Sequence, residues 1–275
     1  MPILIDPAIP AILLGSIVGL ILAISGAGGG IIAVPLLVFG LGLPVREAGP
    51  IGLLAVGVAA GLATGLGLRK GIVRYRAAAL VGTFGILMAP VGVWLAQRIP
   101  NVPLMVAFAL VLVWTGVQTL RRTLPSAKKT TELRAAQPCL IAPDNGRFVW
   151  NLPCARMLSL TGLLSGLMSG LLGVGGGFVI VPALTRYSDL DQKSILATSL
   201  GVITLVACGS VAAAALGGSI AWPVAIPFGA GAAIGLLAGR LIAARLAGAR
   251  LQQSFAVVCL LVAALMLARA TGVLV

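Results

Sequence analysis

The chain has 275 residues, of which 60% are hydrophobic and 9% charged, with 37 glycines and a mean hydropathy of +1.14. That balance excludes a soluble domain, and the apolar runs are continuous rather than alternating, which excludes a membrane β-barrel. The net charge of +13 does not mark a nucleic-acid partner, because the bases sit in short loops without an aromatic-rich basic patch; it reads as a topology signal.

Stretches long enough to cross a bilayer, about 20 residues each, are predicted near 8–41, 48–68, 77–97, 103–120, 157–185, 194–216, 221–243 and 251–269. The opening "MPILIDPAIP" lacks a basic n-region, so the first apolar segment is expected to stay in place rather than act as a cleaved signal peptide. This segment carries "SGAGGGIIAVP" from Ser25, a glycine-rich breaker followed by Pro35. Glycine and proline are the two poorest helix formers, so the segment is expected to be broken inside the membrane.

A polar stretch, 121–156, follows the fourth apolar run. Within it Asp144-Asn145-Gly146 lies between two apolar runs, which predicts a small β-hairpin. Cys139 and Cys154 match no zinc spacing and are expected to be free thiols if this segment is cytoplasmic. Cys208 and Cys259 fall inside apolar runs as small apolar residues.

The fifth run carries the breaker again, as "LGVGGGFVIVP" from Leu172, with Pro182 in the place of Pro35. A constant offset of 147 aligns the halves without a gap: Gly28, Gly29 and Gly30 fall on Gly175, Gly176 and Gly177, Gly92 on Gly239, Arg98 on Arg245 and Phe108 on Phe255. The chain is therefore a duplication, with copies over roughly 15–122 and 162–269. The organisation expected is a first transmembrane repeat over 1–122, a basic cytoplasmic linker over 123–156 and a second repeat over 157–275.

Loop charges set the expected orientation. If each broken segment enters and leaves on one face, every copy crosses an odd number of times and the second is inverted. Lys and Arg then divide sixteen inside, with only Arg46, Arg98 and Arg269 outside. If every segment crosses once, the division is twelve against seven. The positive-inside rule selects the inverted arrangement, with both termini outside and the linker cytoplasmic in a bacterial-type inner membrane. The fold class expected is an all-α polytopic membrane protein with an internal inverted repeat, each half a Gly-broken re-entrant segment plus three transmembrane helices.

Gly-interrupted segments at matching places in two halves point to a secondary transporter and its binding site. Non-helical backbone at membrane depth persists only where it is buried in protein or lines a cavity, and a helix starting after three glycines presents free amides and the positive end of its dipole. Gly28, Gly29, Gly30, Gly175, Gly176 and Gly177 are thus the candidate anion ligands, and Pro35 and Pro182 the helix-break or gating positions. Thr198 and Ser199, from "ILATSLGVIT", are the candidate supporting hydroxyls; the first copy has Ile51 and Gly52 there, which predicts an asymmetric site. Ser25, Ser169 and Thr204 are weaker candidates.

The chain has no histidine, and its acids, Asp6, Glu47, Glu132, Asp144, Asp189 and Asp191, all fall in loops or at span ends. No proton relay, metal site, cofactor or catalytic residue is expected, and an activated serine has no partner base. The partners expected are a small anion and the lipid bilayer; a homo-oligomer is left open.

The paired "GAGGGIIAVP" and "GVGGGFVIVP", the "ATSL" after the second, the four-segment repeat and the basic linker resemble the sulfite exporter TauE/SafE family of membrane permeases over essentially the whole chain. The resemblance implies transport, often export, of sulfite, sulfoacetate and other sulfur-containing anions or organosulfonates. Alternating access at a midplane site is the expected mechanism; an anion channel or an uptake permease built on the same repeat remains the alternative.

Overall fold

The computed structural model describes residues 8–26, 28–123, 139, 151–246 and 249–271. They form α1 (Ala8–Ser25), α2 (Gly29–Gly40), α3 (Val45–Arg69), α4 (Tyr75–Arg98), α5 (Asn101–Thr123), α6 (Leu152–Leu172), α7 (Gly177–Tyr187), α8 (Gln192–Leu216), α9 (Trp222–Leu246) and α10 (Ala249–Ala270). Seven of these helices are long and apolar enough to span a membrane, and no strand is present among the described residues. The all-α polytopic class expected from composition is what is found. The hairpin expected at Asp144–Gly146 lies outside the described residues.

Each predicted broken segment is two helices. A Cβ on Gly29 would lie 2.6 Å from the Leu22 Cβ, and one on Gly40 would lie 2.7 Å from the Leu14 Cδ1. The contacts of α2 thus retreat along α1 as the chain advances, so α2 folds back on α1. In the second segment a Cβ on Gly176 would lie 2.9 Å from the Ser165 Cβ, two turns back along α6, so the chain reverses there too.

Small residues at fourfold spacing set how the helices run together. Gly162, Gly166 and Gly170 of α6 face the carbonyls of Val81, Gly85 and Ala89 in turn, so α4 and α6 run parallel. Gly15 and Gly19 of α1 face the carbonyls of Phe228 and Ala232 in the same way, so α1 and α9 run parallel. Without side chains between them the backbones approach closely, the usual packing of membrane helices, where burial from water supplies no drive. Gly57 meets Ala207, Gly61 meets Thr204 and Gly201 meets Thr64, which makes α3 and α8 antiparallel.

These directions collect two ends. At one, the Val45 amide donates to Asn101 Oδ1 (2.9 Å), and Arg269 Nη1 donates to the Val38 carbonyl (3.3 Å) with its guanidinium 5.7 Å from the Phe39 ring centroid. Arg46, Arg98 and Arg269 lie here. At the other end the Arg74 amide donates to Thr198 Oγ1 (3.1 Å), and Arg69, Lys70, Arg76, Arg156, Arg186 and Lys193 gather around the same loops.

One expectation is corrected. Cys139 and Cys154 are not free thiols but a disulfide with a Cα–Cα distance of 5.0 Å, both fully buried. The reason is backbone pairing that spacing does not reveal. Cys139 N donates to the Tyr187 carbonyl (3.1 Å) and Asp189 N donates to the Cys139 carbonyl (3.3 Å), which holds Cys139 against the α7–α8 junction and beside the first turn of α6.

Candidate substrate site

Both half-helices begin deep inside the molecule. The first hydrogen bond of α2 runs from Ile31 N to the Gly28 carbonyl (3.0 Å), and those of α7 from Val179 N and Ile180 N to the Gly176 carbonyl (3.0 and 3.1 Å). The amides of Gly29, Gly30, Gly177 and Phe178 precede those bonds, at the positive ends of the two helix dipoles. Gly176 is left-handed, with φ +71°, which lets the chain turn straight into α7; a side chain there would be strained.

The two breaks touch. A Cβ on Gly30 would sit 2.5 Å from the Val174 carbonyl oxygen and 3.4 Å from Val56 Cγ1, and one on Gly175 would sit 3.1 Å from Ile203 Cγ2 and 3.5 Å from Val56 Cγ1. Val56 and Ile203 are both 1% exposed and fall at the middles of α3 and α8, offset by 147. Pro35 and Pro182 lie inside α2 and α7. Each deprives a carbonyl four residues back, that of Ile31 or Phe178, of its helical donor. Gly28, by contrast, faces the tip of the Phe255 ring, 2.5 Å from a Cβ placed there.

The candidate hydroxyls divide. Ser199 Oγ donates to the Leu196 carbonyl of its own helix (2.8 Å), and Thr204 Oγ1 likewise to Leu200 (2.9 Å), a common fate of membrane hydroxyls. Thr198 is engaged by the loop before α4. At the second break itself stand Ser165, against Gly176, and Ser169 one turn further on. Both are 0% exposed; Ser165 Oγ donates to the Gly162 carbonyl (3.1 Å), whereas Ser169 Oγ has no partner. Their counterparts in the first copy are Val18 and Leu22. The position-by-position difference between the copies is the sequence signal that would have raised Ser169 above Ser199.

The described acids lie outside this region. Glu47 is in the first turn of α3, and Asp191 precedes α8, its carboxyl held below the usual value chiefly by the Ser194 hydroxyl, with burial opposing and neighbouring amides adding to it. No metal-binding cluster occurs among the described residues.

A vestibule of about 420 Å³ opens at the Arg46 end, lined by Arg46, Glu47, Gln97, Ser219, Ile220 and Ala221. A narrow cleft bordered by Gly49 and Gly170 adjoins it. A Cβ on Gly49 would lie 3.5 Å from the Gly173 Cα, so the cleft approaches the second break. Gln97 is a lining residue that the sequence reading did not single out.

A family model described as sulfite exporter TauE/SafE matches residues 11–266. Among curated relatives, a "Probable membrane transporter protein" of Xylella fastidiosa (strain 9a5c) is 30% identical over 244 residues, 86% of this chain and 85% of that protein. Its namesake in strain Temecula1 / ATCC 700964 is 28% identical over 241 residues, with the same coverage of each chain. No solved structure matches the chain.

Proposed function

The chain belongs to the sulfite exporter TauE/SafE family of membrane transporters, and from that premise we propose that it carries a small sulfur oxyanion or sulfonate, such as sulfite or sulfoacetate, out of the cytoplasm. The observation that carries this reading is the contact of Gly30 with the Val174 carbonyl beside Val56. It sets two half-helix N-termini against one another between the midpoints of two spanning helices. An anion there gains from two dipoles at once in a low-dielectric setting, where hydrogen bonds to charge are strong. The amides of Gly29, Gly30, Gly177 and Phe178 supply backbone donors, Gly28, Gly175 and Gly176 shape the turns that present them, and Ser169 adds a spare hydroxyl. Thr198 acts at one mouth rather than on the glycines, and the Ser199 hydroxyl is spent on its own helix.

The two repeats are inverted relative to one another. The parallel runs of α4 with α6 and of α1 with α9 support this, since the helices paired in each case occupy different positions in their repeats. The Arg74 end is placed in the cytoplasm by the positive-inside division of sixteen against three, against which stands the Cys139–Cys154 disulfide at that end, a bond rare in a reducing compartment. Alternating access exchanges the vestibule at the Arg46 end for an equivalent opening at the Arg74 end, with Pro35 and Pro182 weakening the half-helices that must shift. A membrane potential negative inside drives anions outward by about 2.3 kcal/mol per charge per 100 mV, so no coupling carboxylate is needed. A channel on the same repeat would show flux that does not saturate, and an uptake permease would show net flux inward at that potential.

The test is accumulation of labelled sulfite or sulfoacetate in inside-out vesicles under an imposed potential. Saturable, potential-dependent accumulation above protein-free vesicles is expected. Accumulation equal to that of protein-free vesicles for both anions would end the reading.

A further inference from the structure

The mouth at the Arg74 end contains polar groups with no structural employment. Arg74 Nε and Thr64 Oγ1 are both buried and lack any hydrogen-bond partner. Both residues border one face of α8, Arg74 through its backbone and Thr64 through its methyl group. The Arg74 amide donates to Thr198 Oγ1 (3.1 Å), and one turn further along α8 a Cβ on Gly201 would lie 3.5 Å from Thr64 Cγ2 and 3.8 Å from the Cγ1 of Val73, the neighbour of Arg74. A buried guanidinium donor and a buried hydroxyl left unsatisfied each carry a desolvation cost, which a fold tolerates where a ligand removes it.

The duplication supplies the control. By the offset of 147, Arg74, Thr64 and Thr198 correspond to Ala221, Val211 and Ile51. The other copy thus builds the same junction of loop and helices from three apolar residues, so the fold does not require the polar ones. Where Ala221 stands, the structure leaves the open vestibule; where Arg74 stands, one arginine and two threonines border the same face of α8. Resting on the transport reading above, we infer that Arg74, Thr64 and Thr198 form a second anion site, a loading site for a small tetrahedral or pyramidal oxyanion at the mouth of the basic end, separate from the glycine breaks. The guanidinium presents a planar donor edge suited to two oxygens of such an ion, and Thr64 Oγ1 supplies a third donor. The exposed Arg69, Lys70 and Arg76 raise the local anion concentration by their field. The opposite mouth lacks the three groups, so affinity differs between the faces.

The test compares the wild type with Arg74→Ala, Arg74→Lys and Thr64→Val in proteoliposomes of known orientation, with labelled sulfite presented to the Arg74 face or to the Arg46 face. Half-saturation at the Arg74 face should rise about tenfold in Arg74→Ala, the loss of one charge-assisted contact. It should rise about threefold in Thr64→Val and less in Arg74→Lys than in Arg74→Ala, while half-saturation at the Arg46 face stays put in all three. Thr64→Val installs the residue the other repeat already uses, so it keeps the fold. An unchanged half-saturation at the Arg74 face, or an equal rise at both faces, would overturn the inference. If the wild type moves no sulfite, the transport reading fails, and calorimetric titration of the purified full-length proteins with sodium sulfate decides the site by itself: tenfold weaker binding in Arg74→Ala upholds it, and equal binding rejects it.

Discussion

Gly30→Ala probes the junction of the two breaks with a single methyl group. Its Cβ would meet the Val174 carbonyl oxygen at 2.5 Å and Val56 Cγ1 at 3.4 Å. The carbonyl belongs to backbone between two residues of positive φ, Gly173 and Gly175, so it cannot swing aside as a side-chain tip would. An ordinary contact needs roughly another 0.5–1 Å, and forcing extra volume into a packed interior costs about 1–3 kcal/mol. Ala has the better helix propensity by about 1 kcal/mol, which offsets part of that cost and leaves a net loss on the order of 1 kcal/mol. The separation falls on the amides proposed to hold the anion, so transport should fall far more than stability, by tenfold or more. Thermal unfolding in detergent and sulfite flux in proteoliposomes, on the same preparations, measure the two effects. The control is Gly65→Ala, where a Cβ meets nothing within 4 Å; it should leave flux unchanged. Flux at the wild-type level in Gly30→Ala, with equal stability, would refute the close apposition of the breaks.

Gly28→Ala should be milder in stability than Gly30→Ala, because it displaces only the tip of the Phe255 ring, while still lowering flux in the same assay. Arg269→Ala removes the hydrogen bond to the Val38 carbonyl and the stacking on Phe39; unfolding should be easier by about 1 kcal/mol, with Arg269→Lys intermediate. Cys139→Ser removes the disulfide to Cys154, so trypsin should cut the linker's Lys and Arg sites several-fold faster than in the unreduced wild type, and dithiothreitol should reproduce the effect. Asp191 has a folded pKa below its unfolded one, so its contribution is present above the unfolded value and is lost as pH falls through the folded value. Asp191→Ala should therefore lower the unfolding temperature slightly near neutrality, as befits a solvent-screened surface carboxylate, and the gap should close as the carboxylate is protonated.

Much of the architecture is legible in the sequence because membrane solvent imposes few options. Continuous apolar runs must be helices, and a constant offset of 147 exposes the two copies. The re-entrant turns are read from glycine and proline, the residues that a helix tolerates least. Side-chain partnerships are less legible, since a hydroxyl one turn into a helix looks the same whether it bonds its own carbonyl, as Ser199 does, or a distant loop amide, as Thr198 does. The disulfide is hidden for a related reason: its partners are brought together by a backbone bridge between Cys139 and Ser188, segments far apart in the chain. Ser169, Arg74 and Thr64 are visible in the sequence only when each is compared with its apolar counterpart at the offset of 147.

The central claim is that the two glycine breaks hold one anion between them. Selenite, a sulfite analogue with a strong anomalous signal, tests it most directly when soaked or co-crystallised with the full chain and located at the selenium absorption edge. The account predicts a selenium peak within hydrogen-bonding distance of amides from both Gly28–Gly30 and Gly175–Gly177. A well-occupied peak that touches neither break, or only one, would contradict it.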